Sequence, residues 1–261
     1  MKNRQALLSK NEATALTIIP PILPLESILS HVMRMSLLSG SRGLKPFAKQ
    51  LFGRTALQPP LLFPSNLAQY VKEVSPVLPS VDTAIRNHTL FSAVAPYLDE
   101  AGYKTVFEHM KRGGPLKSVF AFTGFANRSA GDHAALKFCV VCAAEDKHQF
   151  GIAYWHLEHQ FPGIRTCGRH GIRLTAGCGQ CEYSNINVRI ARLPDERCWC
   201  GRKLGSLPPF RSRVASSADF RIARMVQDAL MFPPASLSPM EWCEFYRAHL
   251  RQRGFVKGTA M

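Results

Sequence analysis

The sequence has no run of about 20 consecutive apolar residues, so it predicts no transmembrane helix. It also has no long-period repeat and no low-complexity tract, which argues against a collagen-like chain. Acidic residues are scarce: 18 Asp and Glu stand against 33 Lys and Arg among 261 residues, a formal net charge of +15. This excess attracts polyanions, but it does not distinguish a nucleic-acid-binding protein from a basic enzyme.

The N-terminal residues resemble a signal peptide only in outline. A basic stretch from Met1 to Lys10 precedes an apolar one from Ala15 to Leu25, but Pro20, Pro21 and Pro24 interrupt the apolar stretch. We therefore expect a cytoplasmic protein that makes no membrane contact. In the reducing cytosol, cysteines act more often as metal ligands than as disulfide partners.

Helical periodicity and capping residues predict short helices in the first and last parts of the chain. A capping box, Ser238-Pro239-Met240-Glu241, opens a last helix, which carries four apolar residues at core spacing. Two successive short helices in the first part fit either a helix-turn-helix or an ordinary helical bundle. The other candidate helices cover 25–36, 44–52, 67–74, a stretch from Val81, and Ser216 to Met231.

The middle of the chain holds seven of the eight cysteines, which together with His170 form four closely spaced pairs. Tetrahedral Zn²⁺ takes four ligands, and a knuckle with a short spacing points two side chains at one ion. Four knuckles therefore fill two closed, structural sites. The first site would use Cys139, Cys142, Cys167 and His170, and the second would use Cys178, Cys181, Cys198 and Cys200. Cys243 is left over, and we expect it in the core of the last helix.

Three alternatives to this assignment remain at the level of sequence. The cysteines could form disulfides or be unrelated core residues, or the four knuckles could be cross-braced, with alternate pairs sharing an ion. Around the knuckles the pattern predicts a strand over 187–192 and a helical, aromatic segment over 151–161.

Two enzyme hypotheses arise from the histidines of the middle segment. His156-Leu157-Glu158 before Cys178-x2-Cys181 resembles the H-x-E…C-x-x-C core of zinc deaminases, but no proline precedes Cys178 and four cysteines would have no role. His156 and His159 suggest an HNH nuclease, but acidic or Asn partners are not evident. We instead expect Trp155, Leu157 and Phe161 to pack a helix onto the zinc unit, with both histidines partly exposed.

Three motifs resemble the TniQ family, the target-selection proteins of Tn7-like transposons. The segment 24–34, PLESILSHVMR, is similar to the family's opening helix, with His31 where an aromatic residue is usual. His88-Thr89-Leu90-Phe91 followed by Ala95-Pro96-Tyr97-Leu98 resembles a second motif. The most specific motif is YWHLEHQFPGI at 154–164, which lies between Cys139-x2-Cys142 and Cys167-x2-His170. Its sequence is especially similar to the TnsD-like branch of the family.

The resemblance implies a non-enzymatic adaptor with two structural zinc ions. Such proteins join a target-recognising element to an AAA+ transposition regulator, and some dock on a CRISPR effector complex or form homodimers. TnsD-like members instead bind a chromosomal attachment site through further C-terminal domains. Here the DNA contacts would come from arginines in the last part of the chain: Arg211, Arg213, Arg221, Arg224, Arg247, Arg251 and Arg253.

Pattern and resemblance together predict a mainly α fold with small zinc-ribbon β elements. Residues 1–135 would form a helical domain with a helix-turn-helix-like unit, 136–208 tandem zinc ribbons, and 209–261 a C-terminal helical pair. The function expected is target-site selection in transposition, with DNA, the AAA+ regulator and a CRISPR effector complex as candidate partners. A sequence-specific DNA recogniser and a zinc-dependent nuclease or deaminase are the alternatives.

Overall fold

A computed structural model describes residues 18–40, 44–53, 63–124, 136–178, 192–195, 197–198, 200–202, 216–233 and 237–255. The helices in these ranges are α1 (Ile28–Leu38), α2 (Leu44–Phe52), α3 (Leu67–Val74), α4 (Val81–His88), α5 (Phe91–Val94), α6 (Glu100–Arg112), α7 (Leu116–Thr123), α8 (Val140–Phe150), α9 (Ser217–Met231) and α10 (Pro239–Gln252). Short 3₁₀ turns cover Ala95–Tyr97 and Glu158–Gln160.

The fold is mainly helical, as the sequence predicts. Across the described ranges, β structure is limited to isolated bridges, which join Glu26 with His156, Phe138 with Thr175, and Thr166 with Arg173. The zinc-ribbon strands therefore remain a prediction, and 187–191 lie outside the described residues. No helix in the described ranges is long and apolar enough to cross a membrane.

Local capping signals place most helix starts where the sequence predicts them. Four serines precede helices, and the side-chain oxygen of each accepts a hydrogen bond from a backbone N–H of the first turn. The predicted capping box of α10 is present, with Ser238 and Glu241 each bonding to the backbone of the other. The first helix begins at Ile28 rather than at 25, because Ser27 is its cap. The four capping serines are Ser27, Ser80, Ser216 and Ser238.

One apolar core joins the N-terminal helices to the cysteine-rich region. Side chains from α1 to α7 pack around it together with Trp155 and Leu157, which are fully buried. Helix α9 packs against α4, α5 and the second 3₁₀ turn, and it buries Ala223 and Leu230. A Cβ atom on Gly168 would lie only 3.0 Å from the backbone oxygen of Ala223, so α9 passes directly over the loop after Cys167.

The segment 18–27 is partly buried and forms no helix of its own: Pro20, Glu26 and Ser27 are buried, whereas residues 18, 21 and 24 are exposed. Its carbonyl oxygens accept hydrogen bonds from side chains and backbone of several elements, as buried backbone groups must. The neutral ring of His31 is one donor, since burial lowers its pKa to about 4. The donors are His31 Nε2 to Pro20 (2.7 Å), Arg34 Nη1 to Pro21 (3.0 Å), Tyr154 Oη to Pro24 (3.0 Å), the Leu157 amide to Leu25 (2.8 Å) and His88 Nδ1 to Glu26 (2.9 Å).

A buried ion pair fixes this segment to α1. Arg34 Nη1 lies 2.7 Å from Glu26 Oε2, and the two side chains are 7% and 0% exposed. The same Glu26 oxygen accepts the backbone N–H of Leu23 at 2.9 Å. Burial raises the pKa of Glu26, and the Arg34 charge opposes that rise.

The prediction of a helical segment at 151–161 is wrong. Residues 153–155 have no regular secondary structure, His156 forms an isolated bridge with Glu26, and helical geometry is limited to Leu157 and the 3₁₀ turn Glu158–Gln160. The backbone there bonds to segment 18–27 and to α1: Ser27 N donates to Trp155 O at 3.2 Å, and Trp155 N donates to Ser30 Oγ at 2.9 Å. Tertiary hydrogen bonds have thus replaced the i to i−4 bonds of a helix.

Helix α10 lies on the surface, which contradicts the prediction that its aromatic residues form core. Phe245 and Tyr246 are each 48% exposed, and Cys243, expected in the core, is also exposed. Trp242 anchors the helix: its Nε1 donates to Pro96 O at 2.7 Å, and its ring packs on Tyr97. The helical spacing of the apolar residues identifies the apolar face of α10 correctly. It cannot reveal that, within the described residues, this face is mostly left uncovered.

Replacing Arg34 by Met should strongly destabilise the protein, because it leaves the Glu26 carboxylate buried without its partner. We expect a loss of about 3–5 kcal/mol in the free energy of unfolding, measured by urea titration. Arg112→Met is the matched control, because it removes an exposed pair with Glu108 (3.3 Å) and should cost less than about 1 kcal/mol. Equal losses in the two variants would contradict a structural role for the buried pair.

Candidate metal centres

The first cysteine cluster forms where α8 begins. Cys139 is the N-cap residue of α8, and its sulfur accepts the backbone N–H of Cys142 at 3.5 Å. The partial positive charge at a helix N-terminus favours thiolates there. Opposite lies a tight loop, in which Cys167 N bonds to Ile172 O and Gly171 N bonds to Cys167 O.

The structure brings together all four predicted ligands of the first site. Cys139, Cys142, Cys167 and His170 place their ligand atoms within 4.8 Å of one another. His170 Nδ1 lies 3.5, 3.3 and 3.5 Å from the sulfurs of Cys139, Cys142 and Cys167, and the last two sulfurs are 3.6 Å apart. The consecutive knuckles therefore meet, and the cross-braced grouping is not the one observed.

These separations are those of a tetrahedron around a small ion. Zinc–sulfur and zinc–nitrogen bonds of about 2.3 and 2.0–2.1 Å give edges of about 3.8 Å between sulfurs and about 3.6 Å between sulfur and nitrogen. Hydrogen bonds to Cys139 and Cys167, with burial, raise the pKa of the Cys142 thiol. Three thiolates this close would repel one another, so a bound cation would be needed to keep all three deprotonated. Soft sulfur donors with one imidazole suit Zn²⁺ better than Mg²⁺ or Ca²⁺.

The second cluster contains three of its four predicted ligands. Cys178, Cys198 and Cys200 lie together, with 3.7 Å between the sulfurs of Cys178 and Cys200. A knuckle turn holds the last two, since Cys198 N bonds to Arg202 O and Gly201 N bonds to Cys198 O. Cys181, the predicted fourth ligand, lies outside the described residues.

Disulfides are not the reason for this clustering. The measured sulfur–sulfur separations of 3.6 and 3.7 Å are far longer than a covalent bond of about 2.05 Å. Two cysteine-rich clusters could thus hold metal ions.

The histidines of the two enzyme hypotheses are buried, which corrects the expectation that they are partly exposed. His156 and His159 are 4% and 1% exposed. Both ring nitrogens of His156 form hydrogen bonds with carboxylates: Asp146 Oδ2 lies 2.8 Å from Nε2, and Glu158 Oε1 lies 3.3 Å from Nδ1. His156 also stacks on Tyr154 at 4.2 Å. Such an enclosed imidazole has no free nitrogen to offer a metal ion or an attacking water molecule.

The arginines predicted to meet DNA lie on the two C-terminal helices where they are described. Arg211 and Arg213 fall outside the described residues, and the other five side chains are exposed. Arg224 Nε lies 3.8 Å from Asp228, and Arg221 Nε donates to Ser217 O at 3.2 Å. The other three are Arg247 and Arg251 on α10, and Arg253 directly after it.

Sequence reasoning missed two residues beside the first cluster. Glu145 follows Cys142 by three residues, and Arg169 lies inside the knuckle Cys167-x2-His170. The helical spacing from Cys142 is a signal that could have identified Glu145, because residues three apart share a helix face. Arg169 has no such signal, since only the folded loop brings it to α8.

The described residues thus combine a helical core with two clusters of potential metal ligands on cysteine knuckles. The chain belongs to the TniQ family, whose sequence model matches residues 17–174, more than half of the chain. The family suggested by the motifs is thus confirmed. The chain is also similar to the transposon Tn7 transposition protein TnsD of Escherichia coli, with 24% identity over 152 residues. The match covers 56% of this chain but only 29% of TnsD.

We expect the purified protein to contain about two zinc ions per chain by elemental analysis, because the two predicted ligand sets each supply four donors. Cys181→Ser should reduce the content to about one ion, because it removes one ligand of the second site. Cys243→Ser, which alters an exposed cysteine on α10, should keep both ions. Fewer than about two ions in the unaltered protein would contradict the ligand assignment.

The hydrogen bonds of His156 with Asp146 and Glu158 should make the free energy of unfolding fall at alkaline pH. Burial alone would lower the pKa of His156, but hydrogen bonds to Asp146 and Glu158 raise it from 6.5 to about 9. The stabilisation is therefore fully present below pH 6.5 and is lost as the pH rises through about 9. Over that interval the free energy of unfolding should fall by up to about 3 kcal/mol.

Urea unfolding measured between about pH 6 and 10 tests this pH dependence. In His156→Gln the decline should disappear, whereas His148→Gln, at an exposed position on α8, should keep it. A decline that is unchanged in His156→Gln would assign the pH dependence to another group.

Proposed function

We propose that this protein is a non-enzymatic target-selection adaptor of a Tn7-like transposon. It would join a target-recognising element, such as a CRISPR effector complex, to the AAA+ transposition regulator. Membership in the TniQ family and similarity to a Tn7 transposition protein support a role in transposition. The buried, carboxylate-bonded His156 supports a structural rather than a catalytic use of the histidine motif.

An exposed apolar stripe on α9 is the observation that carries the adaptor role. Ile222 and Met225, three residues apart on one face of α9, are 53% and 68% exposed, and Phe232, directly after the helix, is 73% exposed. A facing helix inserts its side chains into a surface with such a spacing. Ala223 and Leu230, on another face of α9, are buried on the core, so within the described part of the chain the stripe stays exposed and offers a contact to another protein.

The stripe lies outside the residues that the family model matches. That model ends at residue 174, whereas α9 begins at Ser217. Residues 17–174 supply most of the core and the first metal cluster. A contact surface beyond them would let this chain choose its own protein partner without disturbing the shared core.

The two metal ions would serve as structural supports in this proposal. Cys139, Cys142, Cys167 and His170 would hold one zinc ion, and Cys178, Cys181, Cys198 and Cys200 the other. Each site would have four protein ligands, so neither keeps an open position at which water could be activated. When bound, zinc ties together loops that have little regular secondary structure of their own.

A sequence-specific DNA recogniser is the second candidate function. The five described arginines of the C-terminal part are exposed, and exposed arginines contact phosphates or base edges in DNA complexes. Two of them already bond within α9, which leaves Arg247, Arg251 and Arg253 as the better candidates. This proposal would make α10 the DNA-contacting element.

Binding measurements with one matched pair of variants distinguish the two functions. Met225→Glu should weaken binding to the AAA+ regulator of the same transposon at least about 10-fold, because it places a charge in the apolar contact. Met231→Glu is the control: the residue is on the same helix and 50% exposed, but six residues from Met225 and so on another face. Equal losses would contradict docking on the stripe.

The same preparations should be titrated with duplex DNA at increasing salt. An adaptor should bind weakly, without sequence preference and with a steep salt dependence. Tight binding to one attachment sequence, lost in an Arg247→Ala, Arg251→Ala variant but kept in Met225→Glu, would overturn the adaptor proposal and favour the recogniser.

A further inference from the structure

His170 presents its two ring nitrogens to two different environments. Nδ1 faces the three sulfurs at 3.3–3.5 Å, and Nε2 lies 3.0 Å from Glu145 Oε1. A carboxylate next to Nε2 favours the tautomer that carries its proton there. The lone pair of Nδ1 is then directed at the centre of the sulfur cluster, as a metal ligand requires.

Glu145 also holds the loop that carries His170. Its second oxygen, Oε2, accepts a hydrogen bond from Arg169 Nη2 at 2.8 Å. Arg169 precedes His170 in the second knuckle, whereas Glu145 lies one turn after Cys142 in α8. One carboxylate therefore bonds to two adjacent residues of the opposite knuckle and joins the two halves of the first site.

We propose that Glu145 and Arg169 are positioning residues that set the metal affinity of the first site. The inference rests on the proposed zinc site at Cys139, Cys142, Cys167 and His170. Neither residue is a metal ligand. Glu145 orients the imidazole directly, and Arg169 fixes the second oxygen of that carboxylate so that it cannot rotate away.

The surroundings of this pair limit its effect to metal retention. The side chains of Glu145 and Arg169 are 44% and 45% exposed, and ion pairs at such positions contribute little to folding stability. Hydrogen bonds to the outer nitrogen of a metal-bound histidine, in contrast, change metal affinity by about 10–100-fold. Loss of Glu145 should therefore weaken zinc binding while the protein stays folded.

Competition with a chromophoric chelator tests the proposal on the full chain loaded with zinc. In Glu145→Ala one of the two ions should be released at a chelator concentration about 10–100-fold lower than in the unaltered protein. Glu145→Gln, which keeps an oxygen acceptor for the ring N–H, should recover much of that affinity. Glu108→Ala is the control, because Glu108 is 47% exposed and pairs with Arg112 on α6.

A double-mutant cycle with His170→Cys separates positioning from general destabilisation. A cysteine at 170 supplies a ligand with no second nitrogen, so Glu145→Ala should cause no further loss of affinity in that background. Equal losses in both backgrounds would overturn the proposal, and so would unchanged affinity in Glu145→Ala. Absence of zinc from the unaltered protein would instead refute the metal site itself.

Discussion

The hydrogen bonds and the ion pair of segment 18–27 are the interactions on which the rest of the structure depends. A partly buried chain that forms no helix of its own must find partners for its buried carbonyl oxygens in other elements, because an unpaired buried carbonyl is costly. The partners come from α1, from α4 and from the stretch before the second 3₁₀ turn. The segment thus links helices far apart in sequence to the cysteine-rich region, and the Glu26–Arg34 pair fixes its position.

This arrangement explains why three separate motifs resemble one family. Glu26 and Arg34 of the first motif form the ion pair, and Ser30 accepts the amide of Trp155 from the third. His88 of the second motif bonds to the backbone of the first. The motifs are therefore parts of one internal network, which maintains the architecture. Differences in partner or target among such proteins are better sought on the surface, where α9 and α10 expose their apolar residues.

Features that depend on neighbouring residues could be predicted from the sequence, whereas features that depend on distant contacts could not. Serine caps place the starts of α4 and α9, and cysteine spacing identifies each knuckle, because both are set by residues a few positions apart. The absence of a helix over 153–156 follows from hydrogen bonds to residues some 130 positions away. The burial of His156 follows from Asp146 and Glu158, which sequence alone did not pair with it. The exposure of α10 likewise depends on where the core ends.

The close passage of α9 over Gly168 has a consequence for how the protein matures. The helix rests on the loop between Cys167 and Gly171, where a Cβ on Gly168 would press on Ala223 and one on Gly171 would lie 3.5 Å from the Phe220 ring. Loops of this kind acquire their shape when the metal ion arrives. The loop on which α9 packs would then form only after the metal ion binds, and the exposed apolar stripe of α9 would reach its final position last. Metal supply in the cell would set the moment at which a newly made chain becomes competent to meet its partner.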